Sequence, residues 1–176
     1  LIRFNLFFPE KRDFFLEGLG TFAFAGRASA GLGAGFGDTP YLFFSRRIGL
    51  DQSRVIPLVA GGRATGKAGK FTFGAINVQT GDDEAARIES ANFTVLRVKR
   101  DILRRSTIGA IFTNRNESVV TNGGTNQAYG VDAAFGFYQN VSITSYYAQT
   151  QTTGLTGDNE SFQGKFDYAP DRYGAS

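Results

Sequence analysis

The stretch that decides the fold is residues 128–152, AYGVDAAFGFYQNVSITSYYAQTQT. In its first part the apolar side chains recur at every second position: Tyr129, Val131, Ala133, Phe135 and Phe137. The intervening positions are small or, at Asp132, charged. A period of two predicts a β-strand with one apolar and one polar face. Residues 139–140 would join this strand to a second one at 141–152, and a long polar connection follows.

The connections alternate in length along the rest of the chain. Tight connections are predicted at residues 66–70, 103–106 and 139–140. Long polar connections are predicted between them, at residues 81–91, 116–127 and 153–160. An up-and-down meander places successive connections at opposite ends of the sheet, so one end is trimmed and the other carries long loops. Outer-membrane β-barrels are built in this way.

The pattern predicts an all-β fold, an antiparallel up-and-down meander that forms part of a transmembrane β-barrel. About eight strands are expected, at residues 40–49, 55–65, 70–80, 92–102, 107–115, 128–138, 141–152 and 161–169. Their lengths are close to the ~9–11 residues of tilted membrane strands and exceed the ~5–6 of soluble ones. Within 70–80 the alternation changes phase near Ala75 and Ile76, which predicts a bulge. Residues 1–39 would form an N-terminal segment with a short helix or loop and a Gly-rich stretch, and residues 40–176 the meander.

The composition excludes several kinds of site. The chain has no Cys and no His, which removes thiolate metal sites, disulfides and the commonest general base. Glycine at 23 residues and phenylalanine at 18 suit a twisted sheet. We therefore predict no catalytic residues, no cofactor and no metal. The chain also has no Met, and we expect it to be an internal piece of a longer protein.

Charge is distributed unevenly along the chain and across the strands. Residues 1–115 have a net charge of +7 and residues 116–176 of −4. A basic patch could meet nucleic acid, but we favour a lumen or turns as its place and predict no nucleic-acid partner. Alternation groups eight charged residues on the polar sides of the strands as candidates for a barrel lumen: Arg63, Arg97, Lys99, Asp101, Arg115, Asp132, Lys165 and Asp167. In a soluble sandwich the same residues would face solvent.

The segment FPEKRDFFLEG, residues 8–18, is a candidate structural motif. Its selected members are Pro9, Glu10, Lys11, Arg12, Asp13, Phe14, Phe15, Glu17 and Gly18. Pro9 and Gly18 favour the start and the end of a helix of two to three turns. On that helix Glu10, Asp13 and Glu17 would share a face and could hold a cation or act as an acid–base pair. We favour the alternative, a solvated face with Phe14 and Phe15 docking the segment.

Several segments resemble a bacterial family of unknown function. They are FPEKRDFFLEG (8–18), FSRRIG (44–49), NVQT (77–80), NFTVLR (92–97) and NQAYGVD (126–132). The resemblance covers nearly the whole chain. It implies the first part of an outer-membrane β-barrel, preceded by a signal peptide and a carbohydrate-binding module similar to family nine, and followed by further strands. That family supplies no established catalytic residues.

These observations lead to one functional prediction and two alternatives. We predict an outer-membrane β-barrel segment of a Gram-negative-type bacterium that contacts lipid and binds or passes a ligand, without catalysis. The ligand would be related to glycans and would bind through the carbohydrate-binding module that the resemblance implies ahead of this chain. The first alternative is a soluble all-β module that binds carbohydrate or lipid. The second is an outer-membrane hydrolase that uses Ser or Asp/Glu without His.

Overall fold

A computed structural model describes residues 10–26, 39–51, 54–82, 89–116 and 124–169. Helical structure in these ranges is limited to α1 (Asp13–Leu16) and two 3-10 helices, Leu19–Phe22 and Ser45–Arg47. A small ribbon pairs β1 (Leu50–Asp51) with β2 (Arg54–Val55). The remaining strands form one antiparallel sheet: β3 (Leu58–Ala68), β4 (Phe71–Thr80), β5 (Asn92–Leu103), β6 (Ser106–Asn116), β7 (Thr125–Phe137), β8 (Val141–Thr152) and β9 (Glu160–Tyr168).

The predicted meander is confirmed. The strand order is β3-β4-β5-β6-β7-β8-β9, so each strand pairs with its neighbours in the sequence. Tight turns join β3 to β4, β5 to β6 and β7 to β8, and the long connections lie at the opposite end. Within the described residues β3 and β9 are not paired with each other, and the sheet is open. Closure into a barrel therefore stays a prediction.

The first predicted strand, at residues 40–49, is wrong. This segment contains the 3-10 helix Ser45–Arg47, and the sheet begins only at Leu58, so it has seven strands instead of about eight. Phe43 and Ile48 are buried in the hydrophobic core, which they reach from outside the sheet. The apolar residues of this segment therefore serve packing between layers, and their order along the chain does not reflect a strand ladder.

The predicted bulge near Ala75 is also wrong, because β4 pairs without interruption with β5 on one side and, in that region, with β3 on the other. The change of phase arises because β4 is apolar on both faces. Phe71 and Phe73 point to one side of the sheet and Ile76 and Val78 to the other. Register shifts occur elsewhere, near the start of β3 and the end of β5.

The strands are staggered, so that a row of directly paired residues does not run parallel to the turn end of the sheet. One row of directly paired residues crosses it: Thr65, Gly74, Arg97, Ile111, Gly130, Ala148 and Ser161. Along β3 and β4 this row lies three residues from the turn end of the strand, and along β7, β8 and β9 it lies seven residues from that end. The shift of four residues from β3 to β9, about 0.7 residue per strand, corresponds to an inclination of about 25°, given a rise of ~3.3 Å per residue and a strand spacing of ~4.8 Å. Closed barrels have a larger tilt, typically ~35–45°.

The N-terminal segment, which we define as residues 10–26 and 39–48, packs across one face of the sheet. We call this the covered face; it carries the row described above, and the opposite side is the exposed face. Phe15, Phe22 and Phe24 of the segment are buried in one core. From the sheet this core includes Ile76, Val78, Val95, Ile111, Tyr146 and Ala148. Burial of these rings fixes the segment on the sheet.

Candidate functional site

All eight charged residues selected from the sequence lie on the covered face. They are Arg63, Arg97, Lys99, Asp101, Arg115, Asp132, Lys165 and Asp167. Pairing across the sheet establishes the face, since directly opposed residues point to the same side. That this face lines a lumen stays a prediction, because the sheet is open.

The exposed face is a continuous apolar surface. Large hydrophobic side chains at least 37 % exposed cover β4 to β9 on this side: Phe71, Phe73, Leu96, Val98, Ile108, Tyr129, Val131, Phe137, Tyr147, Phe162, Phe166 and Tyr168. The only charged residues of β3 to β9 on it are Arg100 and Glu160. Soluble monomers rarely expose a contiguous apolar patch larger than a few hundred Å².

The exposed face becomes polar toward the long connections. Asn77 Nδ2 donates to Asn92 Oδ1 at 2.8 Å and to Thr94 Oγ1 at 2.9 Å. Farther along the sheet, the hydroxyl of Tyr129 donates to Gln149 Oε1 at 2.6 Å. These amide and hydroxyl groups form a hydrogen-bonded border at one end of the apolar surface.

Aromatic rings mark the opposite border, at the tight turns. Phe135 and Phe137 stack with ring centroids 6.2 Å apart. The Arg100 guanidinium lies 5.1 Å from the ring centroid of Phe71, so its charge is held at the border by a cation–π contact. Tyr168 on β9 extends this aromatic border beyond β4 and β7 to a third strand.

A buried ion pair connects the sheet to the N-terminal segment. Arg97 is 1 % exposed, and its Nη1 and Nη2 donate to the two carboxylate oxygens of Asp132 at 2.6 and 2.9 Å. The Ala25 backbone N–H donates to the same carboxylate at 3.1 Å. The guanidinium lies over Gly109, where a Cβ would come within 2.8 Å of Nη1, and 5.9 Å from the Phe24 ring. The absence of a side chain at Gly109 leaves space for the guanidinium, and the bidentate pair with Asp132 compensates its buried charge.

Two glycines of the covered face receive aromatic rings of the N-terminal segment. A Cβ at Gly74 would lie 2.8 Å from the ring of Phe22. A Cβ at Gly130 would lie 2.8 Å from the ring of Phe24 and 2.7 Å from Leu42. The missing side chains of these glycines leave hollows in the sheet, and the two buried rings fill them, so the segment approaches the strands closely.

Glu10 and Arg12 form a second polar network, within the N-terminal segment. Arg12 pairs with the Glu10 carboxylate at 2.8 Å and donates to the carbonyl oxygens of Ser45 and Ile48 at 2.9 and 2.7 Å. The Ser45 hydroxyl donates to Glu10 Oε2 at 2.9 Å. Burial by itself raises the pKa of Glu10, but hydrogen bonds from Arg12 and Ser45 outweigh it and lower that pKa to about 2. The network ties residues 10–12 to residues 45–48.

The predicted helix of two to three turns is a single turn, and its acidic face does not form. Glu10 precedes α1 and is engaged by Arg12. Glu17 follows α1 and pairs with Arg63 of β3, whose Nη1 also donates to the carbonyl oxygens of Phe14 and Glu17 at 2.7 and 2.6 Å. The prediction of a shared carboxylate face for a cation or an acid–base pair is therefore wrong. Phe14 and Phe15 do dock the segment, as the alternative predicted, but Glu10 is buried and not on a solvated face.

The other members of the motif lie around these contacts. Lys11 and Asp13 are exposed. Gly18 has a φ of 70° and faces Thr65, where a Cβ would lie 3.2 Å from the side chain. Both its left-handed backbone and its close approach to β3 require glycine. Pro9 lies outside the described residues.

A cavity of about 420 Å³ remains between residues 41–48 and the covered face, near the long connections. Its sheet wall includes Phe93, Arg115 and Asn126, which are directly paired across β5, β6 and β7. Phe44 and Arg47 line the opposite wall. The Arg115 guanidinium lies 5.1 Å from the ring centroid of Phe93. This is the concave site with convergent polar groups that the sequence did not reveal.

Comparison of the chain with protein-family models, curated proteins and solved structures found no match. The family resemblance therefore stays a hypothesis, as do its outer-membrane location and glycan-related ligand. In the described ranges, none of the helices has the length and apolarity to cross a bilayer. The same ranges hold no group of three or more acidic residues positioned to share a metal ion.

Proposed function

We propose that this chain forms part of the wall of a transmembrane β-barrel in a bacterial outer membrane. Its role is to bind or pass a ligand, without catalysis. The observation behind this proposal is the apolar exposed face, from which the charged residues of the strands are absent except at its borders. Lipid is the partner whose chemistry fits such a surface, because a charge at mid-bilayer costs ~2–4 kcal/mol.

The height of the apolar surface supports lipid as its partner. Along β7, outward apolar residues run from Tyr129 to Phe137. At ~3.3 Å per residue and an inclination of about 25°, this run spans roughly 24 Å along the membrane normal. The apolar band of outer-membrane barrels is ~25 Å tall and is flanked by aromatic residues. The rings at the tight-turn border correspond to one such flank.

The slanted register and the unequal loops give independent support. The strands are staggered across the sheet, and a stagger of this kind is needed to close a sheet into a barrel. Short turns at one end and long connections at the other match the two sides of an outer membrane. The covered face would then point inward, with the N-terminal segment lying inside as a plug. The family resemblance adds the outer membrane as the location and a glycan-related ligand.

The alternatives fit these observations less well. A soluble module would leave the whole exposed face, including Phe162 at 80 % exposure, in water. A hydrolase needs an activated nucleophile, and no geometry in the described residues favours one.

Fluorescence quenching by brominated lipids tests the proposal, since the chain contains no Trp. Val131→Trp introduces a probe on the exposed face, where Val131 is 55 % exposed. Thr144→Trp on the covered face is the matched control, from the neighbouring strand β8. In vesicles with brominated acyl chains we expect strong quenching at position 131 and little at position 144.

Heat-modifiable migration in electrophoresis provides a second measurement of barrel assembly. Equal quenching of the two probes, or a protein that stays monomeric and folded in plain buffer without lipid, would overturn the proposal.

A further inference from the structure

The two ends of the sheet differ in charge. At the tight-turn end, residues 67–71 and 100–106 contain five basic side chains and one carboxylate: Lys67, Lys70, Arg100, Arg104, Arg105 and Asp101. Lys67 Nζ lies 3.5 Å from Asp101 Oδ2, so this carboxylate is already paired. In the described parts of the long connections, residues 81–82, 89–91 and 153–159, the charged residues are Asp82, Glu89 and Asp158. The tight-turn end is therefore the end that favours an anionic partner.

A groove of about 670 Å³ crosses the exposed face beside the tight-turn end. Short side chains at Ala110, Ala133 and Ser145 alternate in it with larger apolar ones, which are Phe71, Val98, Ile108, Val131 and Tyr147. These residues belong to two adjacent rows of directly paired residues on β4 to β8. Hydrocarbon is the chemistry that such a lining favours, because contact with it removes apolar surface from water.

The groove has two charged lining residues, and only Arg100 belongs to the exposed face. The other, Asp132, lies on the covered face, where both of its carboxylate oxygens accept hydrogen bonds from Arg97. Arg100 is exposed and its directly paired neighbours, Phe71 and Ile108, are apolar. In the described part of the chain no carboxylate forms a salt bridge with it.

Arg100 lies on the side of the groove that faces the tight turns. It is three residues from the end of β5, and its guanidinium lies 5.1 Å from the ring centroid of Phe71. A long side chain in this position rests its stem on apolar surface and extends its charge toward the headgroups of a bilayer. A guanidinium binds phosphate through parallel hydrogen bonds from its planar fork.

We infer that this part of the exposed face binds an anionic phospholipid, with the phosphate on Arg100 and one acyl chain in the groove. The apolar lining accounts for the acyl chain, and the excess of basic residues at the tight-turn end accounts for a headgroup of net negative charge. A zwitterionic headgroup would place a further cation beside these residues. The inference deepens the proposed function and rests on it, because the exposed face must lie in lipid.

Tryptophan probes in lipid vesicles test the inference. Phe71→Trp places a probe beside Arg100, and Phe162→Trp is the matched control, on the same face but outside the groove. The vesicles are of phosphatidylcholine with a small fraction of either brominated phosphatidylglycerol or brominated phosphatidylcholine. At position 71 we expect phosphatidylglycerol to bind about fivefold more tightly than phosphatidylcholine, the effect of one basic residue at a membrane surface. At position 162 the two brominated lipids should quench equally.

Further variants connect the lipid preference to Arg100 and to the groove. In the Phe71→Trp protein, Arg100→Gln should abolish the preference for phosphatidylglycerol. Lys165→Gln is the charge-matched control, because it removes one positive charge from the covered face, where Lys165 is paired with Asp167. Its preference should not change. Ala133→Phe keeps every charge but fills the groove, and it should also weaken the binding of phosphatidylglycerol.

The inference is overturned if positions 71 and 162 show the same preference, or if Arg100→Gln keeps it in full. Quenching by brominated phosphatidylcholine at positions 131 and 162 reports insertion whatever the headgroup, so either result would leave the membrane proposal standing. Quenching at position 162 with none by either lipid at position 71 would assign the groove to a protein surface, such as a second copy of this chain, and would also overturn the inference. Absence of quenching at every probe would refute the proposed function and the inference with it.

Discussion

Replacing Asp132 with Asn should destabilise the protein strongly, because it leaves the guanidinium of Arg97 buried without an anionic partner. Arg97 is 1 % exposed, and the Asp132 side chain is 15 % exposed. The guanidinium cannot turn away easily, since it lies between Gly109 and the ring of Phe24. The same carboxylate accepts the Ala25 N–H, so the variant also weakens the attachment of the N-terminal segment.

Removing one partner of a buried ion pair costs ~3–5 kcal/mol, and this is the loss expected for Asp132→Asn. The free energy of unfolding would be measured by urea titration in detergent micelles. Asp167→Asn is the control: it removes the acid of the Lys165–Asp167 pair, a more exposed pair on the same face, with 3.0 Å between Lys165 Nζ and Asp167 Oδ1. Exposed pairs contribute ~0–1 kcal/mol, so this control should change little.

A double variant separates the buried charge from general disruption of packing. Arg97→Met combined with Asp132→Asn removes the uncompensated guanidinium, and it should recover at least ~1 kcal/mol relative to Asp132→Asn alone. The reasoning would be refuted if Asp132→Asn cost no more than Asp167→Asn, or if the double variant were the less stable one.

Three further predictions concern the exposed face, the N-terminal segment and the hollows of the sheet. Val131→Arg should lower stability in lipid vesicles by ~2–4 kcal/mol, whereas Thr144→Arg on the covered face should not; equal losses in urea unfolding would contradict the assignment of faces. The pKa of Glu10 is about 2, below the ordinary 4.5. The stabilisation from its ionised form is therefore fully present above pH 4.5 and is lost as the pH falls to about 2. Glu10 should contribute a loss on the order of 1–2 kcal/mol to unfolding measured between pH 2 and 6, and Glu10→Gln should remove this contribution. Gly130→Ala should cost ~1–3 kcal/mol because its Cβ would overlap the ring that fills this hollow, while Gly164→Ala, which meets nothing within 4 Å, should be neutral or stabilising in the same assay.

Alternation along the chain was enough to predict the seven strands of the sheet and, outside β4, the residues that share each face. Successive side chains of a strand point to opposite faces of the sheet, so the face that each side chain occupies depends only on local backbone geometry. For this reason Arg97 and Asp132, on different strands, could be assigned to one side without knowing that they touch. The alternation of short and long connections predicted the order of the strands in the same way, because a meander needs only neighbouring segments to pair.

The segment at 40–49 shows where local reasoning fails. Its apolar residues have the composition of a strand, yet Phe43 and Ile48 pack onto the sheet from outside it. Glu10, Asp13 and Glu17 had a helical spacing, but Arg12 and Arg63 engage two of these carboxylates and the helix is a single turn. In each case the contact that decides the structure comes from another part of the chain.

Only the tertiary structure decided what covers the sheet and where a ligand could bind. Asp132 meets Arg97 across 35 residues of sequence and Ala25 across 107. Gly130 appears in the sequence only as a missing side chain, and the fold shows that the ring of Phe24 fills the space. The alternation of faces along a strand follows from the backbone geometry of adjacent residues. The covering segment and its cavity depend instead on burial and ion pairing between distant residues, which no spacing along the chain records.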